Sequence, residues 1–328
     1  MRPISHIVLI TSLLFISLYA AAQKGFTDKA EAKNEMNDDK KNGKWLEYID
    51  TAFGTPNDST RPFYKLTVYK NDEPVGIVRE FYKNGAKKME IPYVEGLKDG
   101  VQKEYYENGN LMSEYPYTKG EKNGTVKKYY ASGKLKTEWP YTNGEINGMQ
   151  ISYYESGAIH WKVPYVKNLG EGTGTEYYEG GGKKWEEPYT NDKKNGVLKG
   201  YYKDGKLKSE NVYVDGVKSG VWKEYSEKGI VTYEWPFANG LKNGIVKEYY
   251  ESGKLENEWV YVNGVKNGEM KGYYETGTVE WVVPYTNDKK NGMQKQYYET
   301  GKMETETPFN DGEAGVARHF DENGSEIK

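Results

Sequence analysis

The chain of 328 residues contains no cysteine. That excludes a disulfide framework, a Cys-based zinc site, a thiol nucleophile and lipid attachment at a cysteine behind the leading apolar run. Charge of one sign is missing as well. Lys plus Arg number 46 against 49 Asp plus Glu, a formal net charge of -3, which excludes a general polyanion binder and gives no ground for a nucleic-acid partner. Long apolar stretches are confined to Ile7 to Tyr19, short of the ~20 residues a span needs. With Arg2 before it and Ala20-Ala21-Ala22 behind it, residues 1–22 read as a secretory signal peptide. The expectation is an exported protein, periplasmic, envelope-associated or secreted, with no integral span once the signal is removed. Aliphatic residues are few, whereas Tyr at 32 and Gly at 38 are abundant. That balance suits thin, aromatic-rich β-structure better than a thick Leu/Ile/Val core.

What the chain does have is a period. Gly76, Gly100, Gly124, Gly148, Gly172, Gly196, Gly220, Gly244, Gly268 and Gly292 recur every 24 residues, and a second series from Gly85 and Gly109 to Gly301 keeps the same spacing. A fixed period of this length implies units that pack only on their neighbours. The unit from Gly100 to Asn123, GVQKEYYENGNLMSEYPYTKGEKN, reads as strand, tight turn, strand, longer turn. Asn108-Gly109 between β-favouring runs signals a hairpin with a type I′ turn, positive φ being required at both positions. The expected fold is all-β, an elongated array of antiparallel β-hairpins in one twisted meander sheet. Its divisions are the signal at 1–22, a flexible charged leader at 23–42, and a degenerate first repeat at 43–75 with an insertion from Asp50 to Pro62. Ten hairpin repeats at 76–314 and a closing half repeat at 315–328 follow.

A two-residue loop sets the register: Tyr106 faces Leu111, Glu104 faces Ser113, Lys103 faces Glu114. The last pairing recurs at Arg79–Glu90, Lys127–Glu138, Lys199–Glu210, Lys223–Glu234, Lys247–Glu258 and Lys295–Glu306. It fails at Ile151–Lys162, Thr175–Glu186 and Lys271–Val282. In this register all eight tryptophans share one face of the sheet, face A, with Gln102, Glu104, Tyr106, Leu111, Ser113, Tyr115 and Tyr117. Trp45 is in the first repeat. Trp139, Trp235 and Trp259 take the Tyr115 position, Trp161, Trp185 and Trp281 the Ser113 position, and Trp222 the Gln102 position. These last seven are the candidate binding residues. Face B carries Lys103, Tyr105, Met112, Glu114 and Pro116, with weak cation–π contacts expected for Lys136 on Tyr129 and Lys208 on Tyr201.

The unit carried by Asn243-Gly244, Lys247-Glu248-Tyr249-Tyr250, Gly253-Lys254-Leu255, Glu258 and Tyr261 resembles the MORN repeat in its bacterial variant form. The resemblance covers about Gly43 to Gly324. It implies a repeat scaffold that binds proteins or lipids, and related bacterial proteins are often labelled YwqK-type antitoxins. From the residues themselves no catalytic constellation, metal site or cofactor is expected. His160 and His319, the only histidines after the signal, lack a recurring acid and nucleophile. Asn191-Asp192 and Asn287-Asp288 are turn residues without a calcium-loop pattern. The leading expectation is a non-enzymatic protein-interaction module using the aromatic face, with a toxin or envelope protein as partner. The alternative is a cell-wall or glycan-binding repeat protein, in which rings stack on sugar faces.

Overall fold

The structure, a computed structural model, describes residues 25–49 and 62–327. The expected signal peptide and nearly all of the first-repeat insertion lie outside these residues. The described chain is antiparallel β-structure throughout, apart from one 3-10 turn at Lys29–Glu31. It divides into two compact units, residues 1–160 with 165–168, and residues 161–164 with 169–328.

The first unit opens with a difference from the sequence reading. From Gly25 on, the expected flexible leader is folded. Asp28 caps the 3-10 turn by accepting from the Ala30 N–H at 2.9 Å. Strand Glu35–Asn37 pairs with the start of strand Lys40–Ile49. Phe26 is buried with Tyr64, Leu66 and Phe81, and Arg79 Nη1 donates to the Phe26 carbonyl at 3.2 Å. Mean composition missed this because one aromatic side chain, burying ~150–250 Å², outweighs the solvation of its charged neighbours. Strand Phe63–Lys70 then pairs with Lys40–Ile49, placing Trp45 opposite Thr67 and Leu46 opposite Leu66.

In the regular repeats the register holds at its centre. Lys103 faces Glu114, Glu104 faces Ser113 and Gln102 faces Tyr115. All seven expected Lys/Arg–Glu pairings recur, and the departures at Thr175–Glu186 and Lys271–Val282 are present too.

The two turns, however, are exchanged. In the Asn108-Gly109 turn, Tyr106 N–H donates to the Asn110 carbonyl at 2.8 Å and Gly109 N–H to the Tyr106 carbonyl at 2.9 Å. This is a three-residue loop, and Gly109 alone has positive φ, 87°. Asn108 serves differently: its Oδ1 accepts from the Asn110 N–H at 3.0 Å, an Asx-type contact that Asn84 and Asp204 repeat. The type I′ pair sits in the longer turn, where Asn143 and Gly144 have φ 49° and 80° while Thr142 faces Glu145. The larger loop carries a bulge. Tyr105 faces Leu111, not Tyr106, and Met112 is the extra residue. The bulge turns the Leu111 position towards face B: Lys87, its equivalent, lies 5.0 Å from the Tyr105 ring centroid and 3.1 Å from Glu90.

In the first unit the N-terminal segment covers part of face B, where Phe26, Tyr64, Leu66 and Phe81 are buried together. Along the regular repeats most buried side chains lie on face A, at Gln102, Ser113, Val126 and Gln150 in the first unit and at Leu198, Val246, Met270 and Val283 in the second.

Candidate binding face

A Tyr-Tyr dipeptide, replaced by Phe81-Tyr82 in one repeat and Tyr225-Ser226 in another, joins repeats to their neighbours. The first tyrosine reaches back across face B: Tyr129 Oη donates to Glu114 at 2.8 Å, Tyr153 to Glu138 at 2.7 Å and Tyr249 to Glu234 at 3.0 Å. Burial, then this bond to a carboxylate, pushes the phenols of Tyr105, Tyr129, Tyr153, Tyr201, Tyr225, Tyr249 and Tyr273 up to about 12. The second tyrosine reaches forward: Tyr106 Oη donates to the Tyr129 carbonyl at 2.7 Å, and Tyr250 to that of Tyr273 at 2.6 Å.

The tryptophans are all half-buried, which makes them packing residues with one accessible side. Trp139 belongs to the first unit. Its indole N–H is buried without a hydrogen-bond partner, as are the hydroxyls of Thr137 and Ser152, which face each other across adjacent strands. In the second unit, Trp161 and Trp185 both face Glu176, and Trp185 also faces Gly200. Trp222 and Trp235 face each other. Trp222 packs between Tyr213 and Phe237 at 5.3 and 4.7 Å and donates to the Val212 carbonyl at 2.9 Å, while Trp235 stacks on Tyr233 at 4.9 Å. Trp259 and Trp281 converge on one cavity of about 290 Å³, floored by Met270 and Val283 and rimmed by Lys266, Tyr285, Lys290, Gln294 and Gln296. Trp281 lies flat on Gly272, where a Cβ would meet its Nε1 at 2.1 Å.

Beside this row runs a column of alternating cations and rings. Lys98 lies over Tyr117 at 4.9 Å and Lys122 over Tyr141 at 5.1 Å in the first unit. In the second, Lys194 lies over Tyr213 at 5.7 Å, Lys218 over Phe237 at 5.3 Å, Lys242 over Tyr261 at 5.2 Å, Lys266 over Tyr285 at 5.4 Å and Lys290 over Phe309 at 4.7 Å. Five of these rings also face the next lysine directly: Tyr117 Lys122, Tyr213 Lys218, Phe237 Lys242, Tyr261 Lys266 and Tyr285 Lys290, whereas Phe309 faces Ala314. Ile146, facing Tyr141, interrupts the ladder in the first unit. The sequence reading missed it because its lysines lie in the longer turn, outside the hairpin used to count faces. The expected contacts on face B are corrected by one residue. Lys136 lies over Tyr130 and Lys208 over Tyr202, because the bulge carries the Met112 position towards the second tyrosine.

The MORN repeat variant profile matches residues 74–95, 98–119, 122–143, 194–215, 218–239, 242–263, 266–287 and 290–311, more than half of the chain. The chain belongs to the MORN repeat variant family. No match falls between residues 143 and 194, the stretch in which the lysine position is held by Ile146 and Gly170. No curated protein matches this MORN repeat chain. Among solved structures, a TcdB2–TccC3–Cdc42 crystal structure aligns over 79% of this chain at 10% identity and TM-score 0.14. A Photorhabdus luminescens Tc holotoxin pore carrying a TccC3 mutation aligns over 80% at 11% identity and TM-score 0.16. The MORN repeat chain spans only 19% and 17% of those chains.

Among the described residues no helix is long and apolar enough to cross a membrane, and no three His, Asp or Glu side chains gather as metal ligands. His160 packs on the Tyr154 ring at 4.4 Å, and His319 faces Thr305.

Proposed function

We propose that this MORN repeat protein is an exported, non-enzymatic scaffold that holds a protein partner along face A. The observation that carries the reading is the lysine–aromatic ladder, which offers the same cation and the same ring once per hairpin beside half-buried tryptophans. A surface that repeats with the fold suits an extended partner better than a single small substrate. An antitoxin-like role is a special form of this function, in which the bound partner is a toxin and the array covers it.

The test is capture by the purified chain, compared with a Trp259→Ala/Trp281→Ala variant of unchanged circular dichroism. A saturable, stoichiometric protein complex formed by the wild type and lost by the variant supports the reading. The antitoxin form further requires a toxin encoded beside this chain. A turnover activity abolished by changing one Glu or His would replace the scaffold with an enzyme.

The second reading, glycan binding, has one observation of its own. The cavity between Trp259 and Trp281 combines two indoles with the amides of Gln294 and Gln296, a lining suited to stacking and hydrogen bonding to a sugar ring. Retention of wall polysaccharide, with no protein retained, would put this reading first.

A further inference from the structure

Within the second unit, Lys218, Lys242 and Lys266 have no carboxylate within ion-pair distance among the described residues. The flanking Lys194 and Lys290 are differently held, by Glu187 at 3.3 Å and the Gln294 amide oxygen at 2.7 Å. The field along this column is therefore locally positive although the chain is acidic overall. Burial and the charges of Lys218 and Lys266 together hold the Lys242 ammonium below its usual range. The Asp288 carboxylate accepts from the Lys266 backbone N–H at 2.8 Å. Net charge averages this column with the Glu-bearing positions, which is why the value of -3 did not show it.

The spacing of the column selects a partner conformation. Lysines one hairpin apart are two strands apart, ~9.6 Å. A polyproline II segment rises 3.1 Å per residue and has three residues per turn, so every third side chain points the same way at ~9.3 Å. The mismatch is ~0.3 Å per rung, or ~1 Å over the three steps from Lys218 to Lys290, within the reach of a lysine side chain. An extended β-strand, at ~3.3 Å per residue, alternates its side chains with period two, so successive acids on one side come at ~6.6 Å and miss the next lysine. Rings beside the cations complete the fit, since polyproline II ligands dock on aromatic-lined grooves and lose little conformational entropy on binding.

We infer that the ladder from Lys218 to Lys290 is a docking groove for an acidic polyproline II segment of the protein partner, with Asp or Glu at every third residue. The acids pair with Lys218, Lys242 and Lys266, and the intervening side chains rest on Phe237, Tyr261 and Tyr285. The cavity between Trp259 and Trp281 takes one apolar side chain of the same segment. This inference rests on the scaffold reading above and adds the chemistry of the segment that the scaffold recognises.

The test uses the full chain and a fluorescent pentadecapeptide of Glu-Pro-Pro repeats, followed by anisotropy against salt. A composition-matched peptide with its glutamates clustered is the control. The expected result is saturable binding that weakens with salt, at least tenfold tighter for the periodic peptide. Binding should fall at least tenfold in a Lys218→Gln/Lys242→Gln/Lys266→Gln variant and stay unchanged in Lys228→Gln/Lys254→Gln/Lys302→Gln, which removes the same charge from hairpin turns. Equal binding of both peptides, equal loss in both variants, or no binding overturns the inference. So does displacement of the peptide by polygalacturonate at lower concentration, which would assign the groove to an acidic glycan. If the peptide fails but a captured protein still requires Trp259 and Trp281, the scaffold reading stands and only the acidic segment falls.

Discussion

The hydroxyl of Tyr106 donates to the backbone carbonyl of Tyr129, one repeat on, at 2.7 Å. Tyr129 in turn sends its own hydroxyl back to Glu114, in the repeat of Tyr106, at 2.8 Å. Adjacent repeats are thus fastened twice, by one tyrosine from each, once at the bulge, where the ladder of strand bonds is disturbed, and once at a carboxylate already facing lysines on both sides. Beyond the Phe26 cluster the regular repeats bury few apolar side chains, so these polar fasteners carry weight.

Removing either hydroxyl should therefore weaken the seam. Tyr249→Phe removes a bond to a carboxylate and should cost about 1.5–3 kcal/mol, whereas Tyr250→Phe removes a neutral bond to a carbonyl and should cost about 1 kcal/mol. Urea denaturation of the two single variants measures the difference. Equal midpoints for both and for wild type would mean that the hydroxyls fasten nothing.

Alkaline pH should loosen the same seam. The folded-state pKa of the seven back-reaching tyrosines is about 12, against 10.0 unperturbed. Between these values the unfolded chain releases protons that the folded chain keeps. The contribution is therefore complete below about pH 10 and is lost as pH rises towards about 12. At the acid end, Lys183 and Tyr201 hold Glu186 below 4.5. Glu234 is lowered too, because its bonds to Lys223 and Tyr249 outweigh an opposing burial effect. Their contribution is lost as pH falls below 4.5. Melting temperature against pH should show both slopes, and replacing Tyr201 and Tyr249 with Phe should flatten both, because their hydroxyls also hold Glu186 and Glu234 down.

Gly272 is small for a steric reason alone. A Cβ there would lie 2.1 Å from Trp281 Nε1, so Gly272→Ala must displace the indole. The expected cost is about 1–3 kcal/mol, with a changed tryptophan emission spectrum and a disturbed cavity beside Trp259. Gly109→Ala is its counterpart. It has open space around the Cβ but φ of 87°, so it should cost stability through the backbone while leaving emission unchanged.

Thr67 offers a gain. It is 1% exposed and its hydroxyl has no hydrogen-bond partner. Thr67→Val keeps the shape and removes the unsatisfied group, so stability should rise by about 1–3 kcal/mol. A lower denaturation midpoint would show that the hydroxyl has a partner in solution.

The 24-residue glycine series, the Lys–Glu rows and the shared face of the tryptophans were legible in the chain itself. Side chains in strands alternate with period two, so each repeat tests the register again, and only one register satisfies all of them. That alone determined an all-β hairpin array and the positions of Trp139 to Trp281. Three-dimensional packing decided the rest. Asn108-Gly109 allows both a two- and a three-residue loop, and the choice, made by pairing over the whole hairpin, moves Leu111 and Met112. Phe26 orders a charged segment only because Tyr64, Leu66 and Phe81 leave it a place. The tyrosine fasteners and the lysine ladder join residues 15 to 23 positions apart on different hairpins. No propensity links such residues; the strand spacing brings them within reach.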